Sequence, residues 1–393
     1  MPFKFDNIID RRETDSIKYD FAVRRNKPAD ILPLWVADMD FQTPPAVIEA
    51  LTARAQHGIY GYSDGRDAYY AAVQNWFFEN FGWKTEASWI VKTPGVVFAL
   101  SVAVRAFTQE GDAVLIQPPV YYPFTEVVEV NNRKLIKNEL VYADGHYRIN
   151  FEDFEQKVVD NAVKLFILCS PHNPVGSVWT REELTTLGEL CLKHNVLVIS
   201  DEIHADFTYP GHPHTVFASI DERFLNNTVT CTAPSKTFNL AALQVSNILI
   251  AQRELRHKFK AELTRTGYSQ PNVMGLDACR AAYAHGKPWL EELRTYLLQN
   301  LLFAKEFIAQ NTPGVRLVEP EGTYLIWLDF RALGLAGKPL DDLIVYKAGL
   351  WLDPGEMFGP GGEGFQRINI ACPRATLEEA LTRLARALNE RPR

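Results

Sequence analysis

Side chains able to do chemistry fall in four short stretches: Ser235-Lys236-Thr237-Phe238-Asn239, Ser200-Asp201-Glu202-Ile203-His204, Ser170-Pro171-His172-Asn173-Pro174-Val175-Gly176 and Pro118-Pro119-Val120-Tyr121-Tyr122-Pro123. Each follows a run of apolar or β-branched residues, so each reads as the loop closing a buried strand. Lys236 follows Asn227-Thr228-Val229-Thr230-Cys231-Thr232, which turns at Pro234. A lysine there is costly unless it has a partner or a task. A buried amine can form an imine with a carbonyl compound, and a buried carboxylate such as Asp201 can keep a facing ring nitrogen protonated. Asn173, set between two turn-forming residues, can supply an amide N–H, and Tyr121 or Tyr122 offers a flat face for stacking. Singly, each has a plain structural explanation: a surface lysine, an N-cap carboxylate, a turn residue. Four such loops at the carboxyl ends of one sheet describe a site, because ligands of open α/β sheets gather there.

The group that would use all four is pyridoxal 5′-phosphate. It needs a Schiff-base lysine, a carboxylate at its pyridine nitrogen, a donor at O3′ and a stacking partner, and it acts as an electron sink. Thr93-Pro94-Gly95-Val96-Val97 adds an anion site. A glycine opening the apolar helix that runs to about Phe107 leaves free N–H groups and a positive dipole end for a phosphate.

The elements that position these loops alternate between two periods. Strands are expected at Trp89–Val91, Ala113–Gln117, Leu165–Cys169, Val196–Ser200, Thr228–Thr232 and Asn247–Ala251. Phe166-Ile167-Leu168 and Val196-Leu197-Val198-Ile199 are continuously apolar, as in sheets covered on both faces. The helix between them opens on Thr180-Arg181-Glu182-Glu183, a capping box. This is βαβ order, and it predicts an α/β fold with a mostly parallel doubly wound sheet. Upstream, helices are expected over Pro44–Ala55 and Arg66–Phe81, the second burying Trp76, Phe77 and Phe81, with a glycine-rich turn at 58–65 between them. The short apolar run of Leu34-Trp35-Val36-Ala37-Asp38-Met39-Asp40-Phe41 reads as an arm packing on a later part of the chain. Beyond Pro288 a long helix runs to about Gln310, a strand covers Gly322–Asp329, and a closing helix begins at the capping box Thr376-Leu377-Glu378-Glu379 and buries Ala380, Leu381, Leu384 and Leu388. The expected division is an N-terminal arm with part of a small domain (1–48), a large cofactor-binding domain (49–287) and a smaller α+β domain (288–393).

At 393 residues the chain is long enough for two cores. A net charge of −7 with no basic cluster argues against a nucleic-acid surface. No apolar run approaches the ~18 residues that span a bilayer, and Met1–Asp6 lacks the apolar core of a signal peptide. The five cysteines, odd in number and widely spaced, suit reduced thiols of a cytoplasmic protein better than disulfides or a metal site.

The Ser-Pro-X-Asn-Pro-X-Gly, Asp-Glu-Ile-His and Ser-Lys-Thr-Phe-Asn blocks resemble those of fold-type I pyridoxal phosphate enzymes of the aminotransferase class I/II group. Trp35–Phe41, Gly61-Tyr62, Tyr121-Tyr122, Asp201–Asp206 and Arg367-Ile368-Asn369 through Cys372-Pro373-Arg374 narrow the likeness to the MalY/PatB branch of cystathionine β-lyases and cystalysin-type C–S lyases. It runs nearly end to end. The resemblance implies that Lys236 is the Schiff-base lysine, Asp201 faces the ring nitrogen, Tyr121 stacks and Asn173 meets O3′. It implies that Gly95, Val96, Val97 and Ser235 serve the phosphate, with His204 also on the cofactor. It places Tyr62 on the phosphate of the neighbouring subunit of a homodimer. Arg367 would fork the substrate α-carboxylate, with Asn173, Tyr122 and Ala37 beside it. No metal is implied. Two positions depart from the aspartate-type aminotransferases: Gln244 stands where they place an arginine for the phosphate, and His204 where they place a tyrosine. The activity implied is α,β-elimination from an L-amino acid bearing sulfur at Cβ, with a place in methionine and cysteine metabolism. The rivals are an aminotransferase using the same lysine and a regulatory protein that keeps the fold and binds a protein partner. A dinucleotide-binding protein is disfavoured because no Gly-x-Gly-x-x-Gly follows the first strand.

Overall fold

The computed structural model describes residues 3–390. Met1 and Pro2, at the head of the expected arm, and residues 391–393, at the end of the expected small domain, lie outside the described residues. Seven strands form the main sheet: β1 (Ile90–Thr93), β2 (Ala113–Ile116), β3 (Lys134–Lys137), β4 (Leu165–Cys169), β5 (Leu197–Asp201), β6 (Thr228–Thr232) and β7 (Ser246–Leu249). Their order is β1-β7-β6-β5-β4-β2-β3. The pairs from β3 through β6 are parallel, and β7 runs against both β1 and β6.

The continuous apolar runs are explained by what covers the two faces. In β4, Leu165 and Ile167 face the core that contains Ala99, Leu100 and Ala103 of helix Val96–Phe107. Phe166 and Leu168 face the other core, with Leu184, Leu187 and Cys191 of helix Arg181–Lys193. A period of two splits one apolar run between two buried layers. The helix of the second layer begins as expected: Thr180 Oγ1 accepts from Glu183 N at 3.2 Å, and Thr180 N donates to Glu183 Oε2 at 2.8 Å. β3 is missing from the expected strands because it is an edge strand with lysines at both ends, a device that blunts the edge and hides the strand pattern.

A second, antiparallel sheet joins β8 (Arg316–Leu317), β9 (Leu325–Asp329), β10 (Asp353–Pro354) and β11 (Phe365–Asn369) in the order β8-β9-β11-β10. Helices Lys287–Asn311 and Arg374–Asn389 cover it, with Leu293, Leu297, Leu301, Leu377, Leu381 and Leu384 in one core with Leu325, Ile368 and Ile370. Three local expectations fail here. The closing helix starts two residues before Thr376, because Pro373, φ −52°, sets the N-cap without a side-chain hydrogen bond. Leu388 is half-buried, in the last turn of that helix. The strand expected from Gly322 begins only at Leu325, since Thr323 takes a left-handed φ of 66° and donates its N–H to Phe207 O. In the upstream helices, Pro45–His57 and Asp67–Phe81, Trp76 and Phe77 are buried while Phe81 is only partly so.

The N-terminal segment packs on this second sheet. Leu34 N donates to Trp351 O at 2.9 Å, Asn369 N to Leu34 O at 2.9 Å, and Asp40 N to Ala371 O at 3.0 Å. Beneath it lies a charge cluster the sequence did not announce. Lys18, fully buried, donates to Asp40 at 2.8 Å, and Arg11 spans Asp38 at 2.6 Å and Asp40 at 2.8 Å. All five cysteines are free and buried. No described helix is long and apolar enough to cross a membrane, and no His/Cys/Asp/Glu group of metal-binding size occurs among the described residues.

Candidate active site

Strand register builds the site. Cys169, Asp201 and Cys231 are lateral partners at the ends of β4, β5 and β6, so the loops carrying Asn173, His204 and Lys236 leave the sheet side by side. Asp201 is the last residue of its strand, not a helix cap, and it is 4% exposed between two buried thiols. Its Oδ1 accepts from Ile203 N at 3.2 Å, and Oδ2 has no hydrogen bond among the described residues. Burial therefore pushes the carboxyl up to about 7, with Ile203 N–H opposing and the neighbouring Glu202 charge adding to the rise. Glu202 is itself fully served, accepting from Ser200 Oγ at 2.8 Å, His214 Nε2 at 2.9 Å and Phe217 N at 3.0 Å.

Lys236 sits in a single helical turn after β6, opened by Pro234. Its Nζ donates to Ala37 O at 2.8 Å, and Tyr324 OH donates to the same carbonyl at 3.0 Å. That carbonyl comes from the N-terminal segment, 199 residues away. Asn239 holds it there: its side chain accepts from Met39 N and donates to Met39 O and Phe41 O at 2.9–3.0 Å. Asn369 does the same from β11, donating to Val36 O and Asp38 O. Burial pulls the Lys236 amine down to about 8 and the Arg367 charge helps, while Asp38 and Asp201 oppose the fall. Thr237, the next residue, donates to half-buried Asp206, which also accepts from Trp76 Nε1.

Arg367, from the middle of β11, is 3% exposed. It donates from Nη1 to Asn173 Oδ1 and from Nη2 to Trp35 O, each at 2.9 Å, and pairs with Asp353. Its Nε is buried without a partner, and its guanidinium lies over the Phe358 ring at 4.9 Å. Asp353 is its register partner on β10. Sequence reasoning missed Asp353, Asn239 and Asn369; the nearest available signal was that Asn239 and Asn369 sit inside quoted motifs. Because Asn173 Oδ1 is occupied by the arginine, its amide nitrogen is left to donate.

Tyr121 and Tyr122 stand together at 5.4 Å on the loop after β2, half-buried, and burial pushes the Tyr121 hydroxyl up, with Tyr122 adding to the rise and the Arg367 charge opposing it. His204 is buried, with Nδ1 lacking a partner, and its ring meets Tyr324 edge-on at 5.9 Å. Burial and the Lys236 and Arg367 charges hold it well below the usual imidazole range. Ser235 is half-buried. Gly95 caps helix Val96–Phe107 with no side-chain acceptor for the first-turn N–H groups of Val96 and Val97, and a Cβ built on it meets nothing within 4 Å. Gln244 is exposed in a left-handed turn and supplies no cation there. Tyr62 lies outside the cluster, 95% exposed.

These residues fit pyridoxal phosphate on chemical grounds. A buried carboxylate short of donors suits a protonated ring nitrogen, an amine shifted to about 8 suits imine formation, and an uncapped helix start with open space suits a phosphate.

The family model for aminotransferase class I and II matches residues 29–384. The chain is 48% identical over 98% of its length to the cystathionine beta-lyase PatB of Bacillus subtilis, covering all of it, and 34% identical to the protein MalY of Escherichia coli, covering 98% of this chain and 99% of that one. Among solved structures, cystalysin of Treponema denticola, which contains pyridoxal 5′-phosphate, superposes with a TM-score of 0.96 at 39% identity over 99% of this chain and all of that one. A pyridoxal phosphate-bound C–S lyase of Staphylococcus hominis does so at 0.93 and 32% identity, covering both chains fully.

Proposed function

The chain belongs to the aminotransferase class I and II family, and on that premise we propose that it is a pyridoxal phosphate-dependent C–S β-lyase. It converts L-cystathionine, or a related cysteine S-conjugate, and water into a thiol, pyruvate and ammonia. The observation that carries the reading is the meeting of Arg367, Asn173 and Lys236 on the Trp35–Ala37 segment, whose carbonyls accept from both cations, with Asp201 at the carboxyl end of β5. Its relatives' names, cystathionine beta-lyase and C–S lyase, support elimination over transamination.

Pyridoxal phosphate, when bound, supplies the electron sink for the pair released at substrate Cα. Lys236 would hold the cofactor as an imine and, once the substrate amine has displaced it, its free amine, brought down to about 8, would take the Cα proton near neutral pH. Asp201 would keep a proton on the ring nitrogen. Asn173 would donate its free amide N–H to O3′, and Tyr121 would stack on the ring. Val96, Val97 and Gly95 would hold the phosphate through helix-start N–H groups, with Ser235 also serving it and His204 contributing to cofactor binding. Arg367 forks the substrate α-carboxylate, Asn173 and Ala37 line its approach, and Tyr122 with Trp35, stacked on Trp351 at 4.5 Å, offers aromatic surface to a thioether.

The same proposal includes a homodimer in which the exposed Tyr62 serves the partner's phosphate, a cytoplasmic location, and the division into segments 1–48, 49–287 and 288–393. It involves neither nucleic acid nor membrane. The test is an assay with L-cystathionine and no keto-acid acceptor, following pyruvate, ammonia and homocysteine over many turnovers. Glutamate formed from 2-oxoglutarate and amino-acid donors, with no acceptor-independent pyruvate from any β-thio amino acid, overturns the lyase reading.

A further inference from the structure

A cavity open to solvent lies between the 207–210 loop and the first half of helix Lys287–Asn311. It has a volume of about 270 Å³. Phe207, Leu297 and Leu298 give it apolar walls, and Glu291 and Arg294 stand at its rim. None of the residues proposed for catalysis lines it. The space is ample for a small organic ligand.

Two exposed charged groups stand at its mouth, and one buried hydroxyl in its lining lacks a partner. Glu291 and Arg294 are three residues apart on one helix, a spacing at which opposite charges commonly pair. Here neither joins an ion pair among the described residues, and Arg294 makes one hydrogen bond, from Nη2 to Thr208 O at 3.3 Å. Tyr209, also in the lining, buries its hydroxyl without a hydrogen-bond partner, a state that costs free energy until an acceptor arrives. One positive and one negative group beside an apolar chamber of this size match an α-amino acid in its zwitterionic form with an aliphatic side chain: carboxylate to Arg294, ammonium to Glu291, side chain against Leu297 and Leu298.

We propose that this cavity is a binding site for a free, apolar L-α-amino acid, separate from the catalytic site. It is also connected to that site. Phe207 packs edge-on against Tyr324 at 4.9 Å, and Tyr324 shares the Ala37 carbonyl with Lys236. The preceding residue, Asp206, accepts from Thr237 at 2.6 Å. An occupant is therefore two side-chain contacts from the carbonyl on which the lysine rests.

The experiment uses holoenzyme reduced with sodium borohydride, which closes the catalytic site by fixing the cofactor to its lysine. L-Leucine is titrated by calorimetry, with isoamylamine and 4-methylpentanoate as analogues that each lack one charge. The expected result is one L-leucine per chain, with at least tenfold weaker binding for both analogues and for Arg294→Ala, and no binding to Leu298→Trp, which fills the chamber. Arg294 is exposed, so its variant retains the fold, checked by an unchanged melting temperature. No heat from L-leucine at about 10 mM, where even a millimolar site is mostly filled, or unchanged affinity in Arg294→Ala, overturns the proposal. A protein with no reducible chromophore would count against the proposed function and leave the cavity to be tested directly.

Discussion

Replacing Arg367 by leucine separates what the arginine does for the fold from what it does for substrate. Arg367 and Asp353 are 3% and 4% exposed and pair directly. Removing the cation leaves Asp353 buried and uncompensated, which costs about 3–5 kcal/mol. It also strips donors from Asn173 Oδ1 and Trp35 O. The double variant Arg367→Leu/Asp353→Leu removes both charges, and most of that stability should return, because a buried pair replaced by apolar side chains is often neutral or better. Activity should not return. Two charge-assisted hydrogen bonds to the substrate carboxylate, at about 1.5–3 kcal/mol each, are lost in both variants. At ~1.4 kcal/mol per decade this is a fall of about 10²- to 10⁴-fold in kcat/KM. The assays are urea denaturation of the holoenzyme and initial rates of pyruvate formation. The reasoning fails if the single variant loses less than ~1 kcal/mol, or if the double variant regains kcat/KM to within about tenfold of wild type.

Asp201→Asn should retain cofactor yet lose about three orders of magnitude in turnover, since an amide cannot hold the ring proton; near-normal turnover would point to another group. Its apoprotein carries a pH signature. The folded carboxyl is raised to about 7 against an unfolded value near 3.8, so its contribution is intact below pH 4 and is lost as pH climbs through 7. Denaturation of the cofactor-free protein between pH 4 and 8 should show wild type losing stability relative to Asp201→Asn, and a constant difference refutes the assignment. In the same apoprotein, reductive alkylation at Lys236 should titrate with a midpoint near 8, far below that of an ordinary lysine, as followed by peptide mass spectrometry; a midpoint above 10 contradicts the desolvation argument. Mixing inactive Lys236→Ala with an inactive Tyr62 variant should restore part of the activity if Tyr62 acts across a dimer, and no recovery after demonstrated subunit exchange assigns Tyr62 to its own chain.

The sequence was legible where local physics is decisive. Continuous apolar runs such as Phe166-Ile167-Leu168 marked strands covered on both faces, and the polar loops after them marked the edge where a ligand sits. Thr180 and Glu183 cap a helix because both halves of the device lie within four residues. Lys236, Asp201 and Asn173 could be proposed together because each is costly in its place unless it works with the others. Local rules failed where two met. At Thr376 a capping pattern lay just inside a helix already begun by Pro373, and at Gly322 a strand pattern yielded to the left-handed turn at Thr323.

What the chain order could not carry is any partnership across long separations. The carbonyl of Ala37 meets Lys236 from 199 residues away, Arg367 reaches Trp35 O across 332 residues, and Asn239 and Asn369 both clamp the same segment. Each rests on hydrogen bonds whose donors and acceptors are common types with no signature of their own until packing brings them within 3 Å. The same holds for the shifts at Asp201 and Lys236, which arise from water exclusion by the whole fold. Residue type and spacing therefore determined which groups could act; tertiary packing alone decided their neighbours, their charge states and the cavity beside the 207–210 loop, because desolvation and contact are properties of the assembled chain.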